Sequence, residues 1–292
     1  MSNSDDLKSD PDSQTLQPST LARWKRRTVV CVRTLIAVYV VILLTMVLME
    51  ARLLFPAAYH DVSPSADSLA SAWTYSSTDG SPIIGQLFER PDAERTVLFL
   101  HGNATFASRQ AEFAKQLSGI FNANILVAEY RAFVDDEVTP SESNLIADSI
   151  AAFDALRDHY ELNDQDIIVY GRSLGGGCAA AIAEQRQIEH LVLDRTFDSA
   201  ANVAAGRYPF IPVHLVMSNQ FDSIRRLRSF EGNLIQFHGE TDEVIPFENG
   251  RNLYEMASTA NKHFIQRDEF GHLKPISDEV LRELFSHLPS TK

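Results

Sequence analysis

Residues 166–184 constrain the fold of this 292-residue chain more than any other stretch. A short apolar run, Asp166 to Tyr170, passes through Gly171-Arg172-Ser173-Leu174-Gly175 straight into an Ala- and Gly-rich segment that reaches Glu184. The run carries Ile167, Ile168 and Val169, side chains that suit a buried strand. The segment after it is small-sided, as a helix packed close to a sheet is. A strand joined so directly to a helix predicts a parallel α/β unit.

The rest of the chain repeats that theme. Short runs at Thr96–Leu100, Asn124–Tyr130, Leu191–Asp194, Asn233–His238 and His263–Arg267 predict strands, and Ala70–Ser76 with Pro82–Glu89 predict an opening pair around Asp79-Gly80. Ser141–His159 places Leu145, Ile150, Phe153 and Leu156 at helical spacing. Further helices are expected near Phe247–Met256 and Ser277–His287. Continuous apolar strands separated by helices imply a mostly parallel sheet covered on both faces, with ligands bound beyond the carboxyl ends of its strands. Residues 196–228 contain Pro209 and Pro212 and no clear strand, and are expected to form a small cap.

Ahead of this domain, expected over residues 50–292, residues 1–27 read as a disordered tail that ends in the basic cluster Arg23, Lys25, Arg26 and Arg27. From Thr28 to Met49 the chain is apolar, with Arg33 the only charge. That length matches the ~20 residues needed to cross a hydrocarbon core, and Arg33 lies close enough to one end to snorkel. A cleaved signal peptide competes with this reading. Its apolar region runs roughly 7–15 residues before small residues, whereas here the bulky Met49, Leu53, Leu54 and Phe55 follow. An uncleaved signal anchor is therefore expected. The basic cluster puts the N-terminus in the cytoplasm and the large domain on the exocytoplasmic side, periplasmic in a bacterium.

The net charge of −13 disfavours a nucleic-acid partner. Cys31 and Cys178 are the only cysteines and form no disulfide framework. No CxxC pair exists, so a structural zinc site is not supported.

The pentapeptide around Ser173 also carries chemistry. A G-x-S-x-G pattern arises by chance about once in ten chains of this length. Its setting between strand and helix makes it informative, because a sharp turn there exposes the serine hydroxyl. A serine needs a base, and the base needs an acid to orient it. In this arrangement the order along the chain is Ser, acid, His. Asp242 follows a predicted strand within His238–Pro246, and His272 follows the last predicted strand in Phe270-Gly271-His272. Asp194 and, less well placed, Glu243 are alternatives for the acid; His238 and His263 lack the position for the base. Backbone donors for an oxyanion are expected at Leu174 and at Asn103, in the loop His101-Gly102-Asn103-Ala104, with His101 structural beneath it.

LFLHGNA (98–104), YGRSLGG (170–176), HGETDEVIP (238–246) and FGH (270–272) together resemble the α/β-hydrolase domain-containing proteins. They are most similar to the membrane-anchored branch, which includes lysophospholipase-like enzymes and protein depalmitoylases. The resemblance covers roughly residues 50 to 290. It implies the α/β-hydrolase fold and the triad Ser173, Asp242 and His272. The chain departs from the family at Arg131-Ala132-Phe133-Val134, where an Arg-Gly-aromatic-Gly turn is usual; both glycines are missing.

The expected activity is hydrolysis of carboxylic esters or thioesters of acyl or other hydrophobic substrates near a membrane. The reaction needs no metal or organic cofactor. A non-catalytic binding protein on the same fold, and a serine peptidase or amidase, are the competing readings.

Overall fold

A computed structural model describes residues 20–60 and 71–289. The first 19 residues of the expected tail and the start of the expected strand at Ala70 lie outside the described residues. The described chain divides into two units, one ending at Leu48 and one beginning at Met49.

Helix α1 spans Thr20–Leu54. It begins earlier than the end of the tail expected from composition, so Arg23, Lys25, Arg26 and Arg27 are helical. Adding residues to a formed helix is far easier than starting one, and Leu, Ala, Arg and Lys are good helix formers. Within the first unit its apolar side chains are largely exposed, and α1 is long and apolar enough to cross a membrane.

The second unit is built on an eight-stranded sheet of order β1-β2-β4-β3-β5-β6-β7-β8. The strands are β1 Ala72–Ser76, β2 Pro82–Phe88, β3 Arg95–Leu100, β4 Ala123–Val127, β5 Ile167–Arg172, β6 His190–Asp194, β7 Asn233–Gly239 and β8 Lys262–Arg267. β1–β2 and β2–β4 are antiparallel; every other pair is parallel.

Alternation along the central strands separates two cores. Leu98 and Leu100 of β3, Val169 of β5 and Leu191 and Leu193 of β6 face one side. Val97 and Phe99, Ile168 and Tyr170, and Val192 face the other. α4 (Glu142–His159) and α5 (Leu174–Gln185) cover the first face. α2 (Ala111–Phe121) and α10 (Asp278–Ser286) cover the second. The period-two pattern thus becomes a sheet buried on both sides.

Between β6 and β7, where a cap was expected, lie three short helices, α6 Ala200–Arg207, α7 Val213–Val216 and α8 Ser223–Arg226. The segment without its usual glycines is a single helical turn, α3 Arg131–Val134. Arg131 anchors it, donating from its backbone N–H and Nε to the buried Asp148 at 2.9 and 2.7 Å. α9 spans Phe247–Met256.

Candidate active site

Ser173 sits between the end of β5 and the first residue of α5, at φ 54° and ψ −122°. A non-glycine residue there costs about 1–3 kcal/mol and persists only when its surroundings hold it. The end of β6 does so. Ser173 N–H donates to the Asp194 carbonyl at 3.0 Å, and Thr196 Oγ1 donates to the Ser173 carbonyl at 2.7 Å. The flanking glycines have a steric reason. A Cβ on Gly175 would lie 2.1 Å from the Leu100 carbonyl oxygen, and one on Gly171 would lie 2.6 Å from the Gly175 carbonyl oxygen. The helix therefore presses onto the ends of β3 and β5 and pushes the serine outward. One turn along α5, Cys178 is fully buried, and burial pushes its thiol up to about 12.

Asp242 and His272 converge on Ser173 from the ends of β7 and β8. His272 Nε2 is 3.0 Å from Ser173 Oγ, and His272 Nδ1 is 2.8 Å from Asp242 Oδ2. With Nδ1–H donating to the carboxylate, Nε2 accepts from the serine hydroxyl. Asp242 Oδ1 accepts from the N–H groups of Val244 and Ile245 at 3.0 and 2.8 Å, which leaves Oδ2 directed at the imidazole. The fully buried His238 stands behind this carboxylate, 3.6 Å from Oδ2, and its Nε2 donates to the Ile245 carbonyl at 3.0 Å. Burial pushes the His238 imidazole below its ordinary value, keeping it neutral.

The alternative acids have other partners. Asp194 is fully buried and accepts from Tyr170 Oη, Arg172 Nε and Arg195 Nε at 3.0, 2.7 and 2.7 Å. Burial alone would raise its pKa; the Arg195 and Arg172 guanidiniums outweigh that and hold the carboxyl well below the usual range. Glu243 accepts from the His272 backbone N–H at 3.2 Å, through Oε2.

Arg195 is a site residue that sequence reasoning missed. Its Nη1 donates to the carbonyls of His272 and Lys274 at 2.7 Å each and to that of Gly271 at 3.4 Å. Asp194 fixes the other edge of the guanidinium, and Phe237 and Phe270 pack on it. The loop that carries His272 is therefore pinned to the end of β6. The sequence signal is two adjacent charges, Asp194-Arg195, at the end of an apolar strand.

The 101–104 loop passes beside the serine, since a Cβ on Gly102 would lie 3.3 Å from Ser173 Cβ. His101 is fully buried under it, with Nδ1 donating to the Gly102 carbonyl at 2.8 Å and Nε2 3.3 Å from Glu129 Oε1. Glu129, also missed from sequence, is 2% exposed and accepts from Ala107 N–H at 2.8 Å, tying down the far side of the loop. Asn103 follows Gly102 in this loop, and Leu174 opens α5, where helix geometry leaves its N–H without an intrahelical acceptor. A cavity of about 680 Å³ opens onto Ser173 and His272, bounded by Asn103, Phe113, Arg172 and Lys274.

No family model matches the chain. An uncharacterized protein of Mycobacterium tuberculosis, Rv2307c, is 30% identical over 217 residues, 73% of this chain and 76% of that protein. Alpha/beta hydrolase domain-containing protein 17C of Homo sapiens is 31% identical over 188 residues, 64% of this chain and 56% of that protein. Among solved structures, an esterase of Pyrococcus furiosus superposes with a TM-score of 0.61 at 18% identity, covering 78% of this chain and 95% of that one.

Proposed function

The chain belongs to the α/β-hydrolase family, and from that premise we propose that it is a membrane-anchored serine hydrolase that cleaves esters or thioesters of acyl substrates. The observation that carries the reading is the hydrogen-bond chain from Ser173 Oγ through His272 to Asp242, at 3.0 and 2.8 Å.

In this mechanism Ser173 Oγ attacks the acyl carbonyl carbon while His272 Nε2 takes the hydroxyl proton. Asp242 keeps the imidazole in the tautomer with Nδ1 protonated and stabilises the imidazolium. The N–H groups of Leu174 and Asn103 donate to the developing oxyanion. His272 then returns its proton to the leaving alkoxide or thiolate, leaving an acyl-enzyme. Water, deprotonated by His272, then attacks the acyl carbon, and the acid leaves as the bond to Ser173 Oγ breaks and His272 returns the proton to that oxygen.

The apolar helix α1 is the anchor, uncleaved and with its N-terminus in the cytoplasm. Its last turn supports retention, because Phe55, which follows directly, is fully buried in the core of the second unit. Charge asymmetry supports the orientation.

Labelling of full-length protein with a fluorophosphonate probe tests the reading, followed by turnover of matched ester, thioester and peptide substrates. Labelling at Ser173 with ester or thioester turnover is expected. Wild-type turnover by Ser173→Ala would sink the proposal.

A further inference from the structure

The chain carries a net charge of −13, yet the cavity at Ser173 has the opposite sign. Its wall includes Arg109, Arg172, Arg195 and Lys274, with Glu112 the one acidic residue. Glu112 is engaged by Lys115 at 3.1 Å. At the floor, Asp194 faces two guanidiniums, those of Arg172 and Arg195, so one carboxylate answers two cations. Tyr170, also on Asp194, stays protonated because burial, with Asp194 beside it, pushes its phenol well up. Arg195 also lies in the field of the Asp242 carboxylate, so Arg172 is the cation of the pair left with the weaker claim on a counter-charge.

Arg172 is also the cation that opens onto the cavity beside Ser173. Its Nε is spent on Asp194 at 2.7 Å, and its guanidinium lies 3.9 Å over the Phe113 ring, which fixes its plane. Its Nη2 is buried and has no hydrogen-bond acceptor among the described residues. A buried N–H without a partner is costly, and a charged donor more so. The Arg172 Nη1 likewise has no acceptor among the described residues, and the side chain lines the cavity beside Ser173, so an anionic oxygen entering there meets a charged donor that is not already engaged. A cleft lined by one sign of charge also draws in ligands of the other sign.

We propose that the preferred substrates are esters carrying an anionic carboxylate or phosphate group, received by Arg172 at the floor of the cavity with Arg109 and Lys274 at its rim. This deepens the serine-hydrolase reading and rests on it. Nothing in the chemistry at Ser173 requires the charge; the cations select which ester reaches it.

The test uses full-length protein and two matched pairs. p-Nitrophenyl valerate against mono-p-nitrophenyl glutarate places the charge on the acyl side. A 1-acylglycerol against its 3-phosphate, with the same acyl chain, places it on the alcohol side. A charge-assisted hydrogen bond supports a gain of about tenfold or more in kcat/KM for the anionic member of the pair the cavity fits. The gap should narrow as salt screens the rim. In Arg172→Gln the ratio between the two members should fall toward one, and Arg109→Gln, on the exposed rim, should lower it part of the way. Fluorophosphonate labelling of Ser173 reports whether each variant keeps a working centre. Equal or better turnover of the neutral member in both pairs, by wild-type protein that labels, overturns the anion proposal and leaves the hydrolase reading intact. Failure of the wild type to label at Ser173 removes the hydrolase reading and this proposal with it.

Discussion

The side-chain amide of Asn103 donates to the carbonyl of Leu54 at 2.8 Å, and the Asn103 carbonyl accepts from Ala57 N–H at 3.1 Å. Leu54 is the last residue of α1, and its carbonyl is one of those a helix end leaves unpaired. A residue proposed to supply an oxyanion donor thus also caps the apolar helix. One turn earlier, Glu50 accepts from the N–H groups of Ser218 and Asn219 at 3.0 and 2.7 Å. Asn103→Ala in the full-length protein is expected to lower kcat about threefold to tenfold, the worth of one such hydrogen bond. Phe55→Ala is expected to destabilise the second unit by about 3–5 kcal/mol. Steady-state kinetics and denaturant unfolding check the two; unchanged kcat in Asn103→Ala would separate the helix end from the reaction.

The hydrogen-bonded series Ser173–His272–Asp242 should behave as one device. Ser173→Ala and His272→Ala are each expected to lose roughly a millionfold in kcat, and the double variant no more than either alone. Asp242→Asn should lose roughly ten-thousandfold, because the amide favours the wrong imidazole tautomer. Additive losses in the double variant would show that the two side chains act in separate steps.

Arg195 is expected to be a positioning residue for His272. Removing it leaves the buried Asp194 with Arg172 as its one cation and strips three loop carbonyls of their donor, and breaking such a buried pair costs up to about 3–5 kcal/mol. Arg195→Met should therefore unfold at markedly lower denaturant. Arg195→Lys keeps the positive charge and forfeits the planar fork that reaches three carbonyls. It should recover much of the stability while kcat stays low and KM changes little. Full recovery of kcat in Arg195→Lys would show that charge alone holds the loop.

Legibility in the sequence followed distance along the chain. The strands, the turn at Ser173 and the placement of Asp242 and His272 at strand ends rest on local patterns, and the structure brings those residues together. Helix α2 was not read. Gln110 precedes it without a side-chain cap, so its start signal is faint, and only its end is marked, by Asn122 in the left-handed conformation. The role of Arg195 depends on carbonyls that lie 76–79 positions away, and that of Asn103 on a carbonyl 49 positions away. No local pattern encodes such meetings; the order of strands in the sheet does.

Stability should fall in two acid steps. Burial depresses the His238 imidazole, so the unfolded chain binds that proton more readily. Its contribution is complete above the unfolded value of about 6.5 and is lost as pH falls below it. His190, lowered mainly by burial, adds to the same step. Asp194 is depressed too, so its contribution is complete above about 3.9 and is lost at lower pH. Urea midpoints measured from pH 8 to 3 should show both steps. His238→Gln should shrink the first and Asp194→Asn should remove much of the second; an unchanged profile in either variant refutes the assignment for that residue.

The sealed thiol of Cys178 gives the helix behind Ser173 a clock of its own. A thiolate is the reactive form, and in the folded protein Cys178 has neither the exposure nor the acidity to supply it. The other cysteine, Cys31, lies in the apolar run of α1. In Cys31→Ser protein a disulfide reagent should therefore consume the remaining thiol only at the pace at which α5 lifts from the sheet. That rate would count excursions of Ser173 out of its strained turn, without substrate, inhibitor or an engineered label.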